Sequence, residues 1–291
     1  MACASHCPPR RLAGEQRATL DVEQRRCYYG SIMNILLLKL ILTPLLIGSV
    51  SLAGRRWGPT VGGLLVALPL TSGPILFFLA LEHGASFTVN TALGTLEGLI
   101  SNAVFALVFA WLVMERPWWV ALSVSIGAFL ACTWALQFVT LPLPLLLGAV
   151  WLSLVLALGL LPRGAAKPSS AQAPWWDIPG RMVVATSFVL LLTGVASALG
   201  PHLSGLLTPF PIFVSVLAIF TARVAGPVAT VQLLRGVLLG LFACSLFFVV
   251  LALALPIGGV GLTFPLAAGV TLGAQALWLI LSRSRPQPDL A

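Results

Sequence analysis

Acidic side chains are scarce in this chain: eight Asp and Glu stand against sixteen Lys and Arg, and only 8% of the 291 residues are charged. So few carboxylates cannot build a metal centre. The three histidines, His6, His83 and His202, lie far apart in sequence. The five cysteines form neither a CxxC nor a Cys/His ligand spacing; Cys132 and Cys244 lie singly inside apolar runs, where a thiol serves as a small filler. HExxH and GxGxxG are missing as well, GPILFF is no phosphate loop, and no nucleophile–base motif is present. We expect no enzyme, no metal and no cofactor.

In place of charge the chain has apolar surface: 59% of its residues are hydrophobic and the mean hydropathy is +1.03. No soluble domain of this size could keep that much apolar surface in solution, so the sequence predicts an all-α integral membrane protein whose first partner is the lipid bilayer. A hydrocarbon core about 30 Å thick needs about 20 apolar residues per helix. Nine runs qualify: 33–53, 61–82, 88–113, 118–139, 143–161, 182–199, 204–222, 227–253 and 258–281. A net charge of +8 would suit nucleic acid in a soluble protein. Here the Lys and Arg fall in short gaps between the runs, where they set topology, and no nucleic-acid partner is expected.

Loops after the first, third, fifth and seventh runs and the C-terminal tail hold Arg55, Arg56, Arg116, Arg163, Lys167, Arg181, Arg223, Arg283 and Arg285; the short loops between them on the other face hold no Lys or Arg. The positive-inside rule then makes the C-terminus cytoplasmic. Residues 163–181, rich in Pro, Ser and Ala and carrying Trp175 and Trp176, read as a cytoplasmic linker between two membrane halves, 33–162 and 182–281, followed by a cytoplasmic tail, 282–291. The polar segment 1–32 conflicts with this topology, because its five Arg would lie on the trans side. Three resolutions are open: a natural start at Met33, with the upstream segment no part of the natural protein; a cytoplasmic segment whose following run does not cross fully; or a cleaved secretory signal.

One run is interrupted. "GPTVGGLLVALPLTSGPILFFLALEHG", Gly58 to Gly84, carries Pro69, Gly73 and Pro74 near its centre, and it returns 142 positions later as "GPHLSGLLTPFPIFVSVLAIFTARVAG", Gly200 to Gly226. Gly58/Gly200, Pro59/Pro201, Gly63/Gly205, Pro69/Pro211 and Gly84/Gly226 coincide without a gap. After a shift of four, "LEGLI" (96–100) echoes "LRGVL" (234–238). The copies are offset by five helices, and an odd offset turns the second upside down. This predicts about nine transmembrane helices in an inverted-topology repeat of five plus four, an architecture that permits alternating access. Proline removes a backbone donor and crowds the preceding turn, so Pro69 and Pro211, about 11–12 Å deep, should open helices 2 and 7 near the midplane. Pro209 extends the second break, while Thr71 and Ser72 bring hydroxyls to the first.

Two ionisable residues lie deep in the runs, where each costs at least about 2.5–3.5 kcal/mol to insert. Glu97 and Arg235 fall at one level, and on the shifted alignment they occupy matching positions in the two copies. They read either as a buried pair that fixes helix packing or as a substrate site, with Arg235 as a fork for carboxylate or phosphate and Glu97 as a proton carrier. Gln232 shares the face of Arg235, and Asn90 lies near the face of Glu97. Lys39 can snorkel to the interface; Glu82, His83 and Arg223 sit at helix ends, and Trp118 and Trp119 suit an interfacial belt.

The inverted repeat together with "SGLLTPFPIFVSVLAIFTARVAG" resembles the GlpM-like membrane proteins and, more broadly, the drug/metabolite transporter superfamily. That resemblance implies a bacterial cytoplasmic (inner) membrane and either a small transporter or a factor in extracellular polysaccharide production. The nine clear runs depart from the ten helices usual in that superfamily. The expected function is secondary transport of a small polar or anionic organic solute around the breaks in helices 2 and 7, with Arg235, Glu97, Pro69, Thr71, Ser72, Pro211 and Gln232 as substrate-binding residues. The alternative is a non-transporting membrane partner or lipid-carrier handling factor in envelope polysaccharide production. A homodimer or an envelope-synthesis partner would fit either.

Overall fold

The computed structural model describes residues 41, 43–69, 72–139, 141–162, 176–199 and 210–283. Segment 1–32, Lys39, Thr71, most of the linker including Trp175, Pro209 and the tail from 284 lie outside the described residues, as do the side chains of Pro74, Glu82 and His83. The chain divides into two units, Met1–Leu42 and Thr43–Ala291. Among the described residues of the second, every regular element is a helix: α1 (43–57), α2 (Pro59–Val66), α3 (Ser72–Glu115), α4 (Trp118–Leu136), α5 (Leu143–Leu160), α6 (Asp177–Leu199), α7 (Ile212–Val224) and α8 (Pro227–Arg283).

Four stretches among the described residues are long and apolar enough to cross a membrane: Gly84–Glu115, Trp118–Leu136, Leu143–Leu160 and Pro227–Ile280. Helices α4 and α5 turn large apolar side chains outward, including Trp119, Leu130, Trp134, Leu145, Leu152 and Leu156. A helix apolar all round whose outer face finds no protein is covered by lipid. The chain is therefore a multi-pass membrane protein. Its centre is held by α3 and α8, which bury Leu96, Phe105 and Phe109 on one and Leu234, Leu238 and Phe248 on the other.

Both central helices are bent. Gly84 (φ 82°, ψ 176°) divides α3 into arms 72–83 and 85–115, and Gly259 (φ 65°, ψ 176°) divides α8 into arms 227–258 and 260–283. Such a conformation is open essentially to glycine alone. Thr88 donates from Oγ1 to the Gly84 carbonyl at 3.0 Å, and Thr230 does the same to Gly226 (φ 87°), between α7 and α8, also at 3.0 Å. The Pro69 carbonyl accepts from the Gly73 amide at 2.8 Å, and the Pro211 carbonyl from the Ser215 amide at 2.9 Å. All these pairs are 142 residues apart, and so are Pro117, between α3 and α4, and Gly259.

At the same 142-residue spacing Leu239 falls opposite Glu97 and Leu93 opposite Arg235; the two charges align only with the four-residue shift. Two boundaries differ from the sequence expectation. The last two apolar runs meet at Gly259 while Pro256 stays inside the helix, and α6 begins already at Asp177, within the stretch read as linker.

Helices α2 and α8 meet backbone to backbone. A Cβ at Gly63 would collide with the Leu233 carbonyl and one at Gly236 with the Thr60 carbonyl; one at Gly240 would stand 2.7 Å from the Leu64 carbonyl oxygen. On the other side of α2, Gly62 meets Gly54 of α1, where a Cβ would come within 3.1 Å of the Gly54 Cα. Small residues let membrane helices approach in this way. Gly236→Ala is expected to lower stability by about 1–3 kcal/mol through overpacking. Gly94→Ala, at the corresponding position of α3 with nothing within 4 Å, should leave the thermal midpoint in detergent unchanged.

Candidate functional site

Helix α2 ends because Pro69 cannot donate to Leu65 and its ring would crowd that turn. The chain tightens ahead of it: the Ala67 amide donates to Gly63 at 3.3 Å, and the Leu68 amide turns to Leu65 at 3.2 Å. In an unbroken α-helix Leu68 would serve Leu64, so the Leu64 carbonyl loses its backbone donor. Leu64 is buried, 1% exposed. Its oxygen accepts instead from the Gln275 side chain, Nε2 at 3.2 Å, delivered by the second arm of α8. Gln275 is itself 4% exposed, so the bond lies in the protein interior. Away from water a freed carbonyl must find such a donor.

Around this break stand half-buried Pro69 and Ser72 and buried Gly73. Phe247 of α8 lies over Gly73, where a Cβ would touch its ring at 3.5 Å. Phe264 meets Phe77 edge-on at 5.2 Å and approaches Phe247 at 6.4 Å, forming an aromatic wall beside the resuming helix. Buried Pro211 caps the N-terminus of α7, and the residues ahead of it, 200–209, lie outside the described ones.

The structure does not bring Arg235 to this break. Leu233, Gly236, Val237 and Gly240 face α2, and at about 100° per residue Arg235 lies on nearly the opposite side of α8. It is exposed, although residues 233, 234 and 236–238 are all buried, and half-buried Gln232 shares its face. Nor does Arg235 pair with Glu97. Among the described residues the ion pairs are Arg55–Asp177 and Arg181–Asp177. Glu97 belongs to a stripe of α3 formed with exposed Asn90 and Gly94; it is half-buried, and the stripe closes at Ser101, which accepts from Thr133 of α4 at 2.8 Å. The described residues expected to form one site thus occupy four places: the α2–α3 break, the N-terminus of α7, the open face of α8, and the polar stripe of α3.

Two residues escaped the sequence reading. Gln275 was detectable as the one amide in the run 258–281, and Asp177 as the only acid between Glu115 and Asp289. Neither belongs to a motif, and the partner of Gln275 is 211 residues away. No protein-family model, curated protein or solved structure matches the chain.

Substituting Gln275→Leu removes the donor and leaves the buried Leu64 carbonyl unsatisfied, a loss of about 1–3 kcal/mol. The expected outcome is a lower thermal midpoint in detergent, with faster amide exchange confined at first to residues 62–73.

Proposed function

We propose that this chain is a secondary transporter of a small polar or anionic organic solute, working by alternating access around the breaks at Pro69 and Pro211. The observation that carries the reading is the interrupted helix α2–α3 inside the bundle, its free carbonyl held by Gln275 from the other half of the chain. Discontinuous helices at the interface of two repeats are where secondary transporters bind solute. The matched corners and carbonyl contacts, all 142 residues apart, support an inverted repeat of nine spans: α1, α2 with the first arm of α3, its second arm, α4, α5, α6, the apolar run that contains α7, and the two arms of α8. The loop charges support a cytoplasmic C-terminus, and the resemblance a bacterial inner membrane.

In this reading Arg235 takes the anionic group. An arginine about 12 Å into a spanning helix is stable only in a wet cavity or against an anion, and this one has no ion partner among the described residues. Gln232 adds a hydrogen bond, the Glu97 stripe offers a polar path along α3, and Pro69, Ser72 and Pro211 stand at the breaks. One feature favours the second reading, a lipid-carrier factor of envelope polysaccharide production. An apolar groove of about 310 Å³ lies at the bend of α8, lined by Leu253, Ile257, Leu262 and Leu266.

A thermal-shift screen of small carboxylates and phosphates on the purified protein tests the proposal. A ligand at 100 times its Kd should stabilise by about 2.7 kcal/mol. Arg235→Ala is expected to remove that shift and to abolish flux in proteoliposomes while the ligand-free midpoint holds. Full flux in Arg235→Ala would end the role assigned to it, and a protein without flux that co-purifies with polyprenyl lipid would favour the second reading.

A further inference from the structure

A cluster of charge outside the transport site gathers at one end of the bundle. Asp177, in the first turn of α6, is fully buried; it accepts from Arg55 Nη2 of α1 at 2.8 Å and from Arg181 Nε at 3.1 Å. The Arg181 guanidinium lies 5.6 Å from the centre of the Phe220 ring of α7, and one turn on, Arg223 lies 5.5 Å from the Trp118 ring of α4. Two contacts therefore join the halves at this end: Arg55 of the first half to Asp177 of the second, and Trp118 to Arg223.

The 142-residue register gives each of these positions a counterpart. Arg55 corresponds to Ser197, Asp177 to Ile35, Trp118 to Val260 and Arg223 to Leu81. In an inverted repeat the two halves exchange conformations when access switches, so a contact between halves is replaced at the other end by the contact between the counterparts. Neither Ser197 nor Ile35 carries a charge, and neither Leu81 nor Val260 is a cation or an aromatic ring. The charged contacts thus exist in only one of the two states.

We propose that Arg55 and Asp177 form a one-sided latch that makes the state seen here, joined at the Arg55 end, the resting state of the transporter. The inference rests on the transport reading and its repeat. A carboxylate sealed from water holds both cations by charge-assisted hydrogen bonds, and separating Arg55 gives up one of them while Arg181 still balances the charge. Since no equivalent pair rewards the opposite state, a solute must favour that state enough to outweigh the latch. By the loop charges the latched end is cytoplasmic, so the binding cavity faces outward at rest.

Distances between spin labels at Trp57→Cys and Trp176→Cys, both exposed beside the latch, test this in a background with the five native cysteines replaced. The parent should give one dominant short distance. Arg55→Gln leaves the buried Asp177–Arg181 pair whole and should raise a longer-distance population about fivefold, whereas Arg55→Lys, which keeps the charge, should raise it less. An unchanged distribution in Arg55→Gln, or an equal shift in Arg55→Lys, overturns the latch. The measurement needs no solute: a population that shifts as expected in a protein without flux would leave the latch standing and remove the transport reading.

Discussion

A carbonyl that a broken helix cannot use must be used by another group, and in hydrocarbon that requirement orders the centre of this molecule. Pro69 ends α2 and releases the Leu64 oxygen; Gln275 takes it. To deliver Gln275, the second arm of α8 must return to the helix its first arm already touches through Gly236 and Gly240. The bend at Gly259 lets it do so. Proline, glutamine and three glycines are thus parts of one solution to a single unsatisfied acceptor.

The parts of the fold legible in the sequence are those governed by local backbone chemistry. A proline within an apolar run interrupts a helix whatever surrounds it, and the break at Pro69 could be read for that reason. The helices α4 and α5 follow from length and hydropathy alone. What could not be read depends on tertiary proximity. Nothing near Gln275 in sequence announces Leu64, and Asp177 looks like one polar residue in a polar stretch until Arg55 is beside it. Glu97 and Arg235 show the same limit: "LEGLI" and "LRGVL" look alike in sequence, but Glu97 lies on the polar stripe of α3 and Arg235 on the open face of α8, and no ion pair joins them.

Charge is distributed along α8 with the same logic. Its face toward α2 admits only hydrogen at two positions and excludes any cation, while its opposite face carries Gln232 and Arg235. A single helix arm therefore serves as a rigid spine on one side and a polar surface on the other. The strong ion pairs lie elsewhere, at the ends of α1 and α6, so ionic strength added to the bulk would reach the half-exposed Arg55 sooner than the helix interior.

The contact between Gly54 and Gly62 has a mechanical consequence. Helices that pack with ridges in grooves are geared: one can move along the other only by lifting each side chain over its neighbour. Gly54 and Gly62 face each other as bare backbone, so no side chain interlocks α1 with α2 at that crossing, and the position of α2 is set instead by its contact with α8.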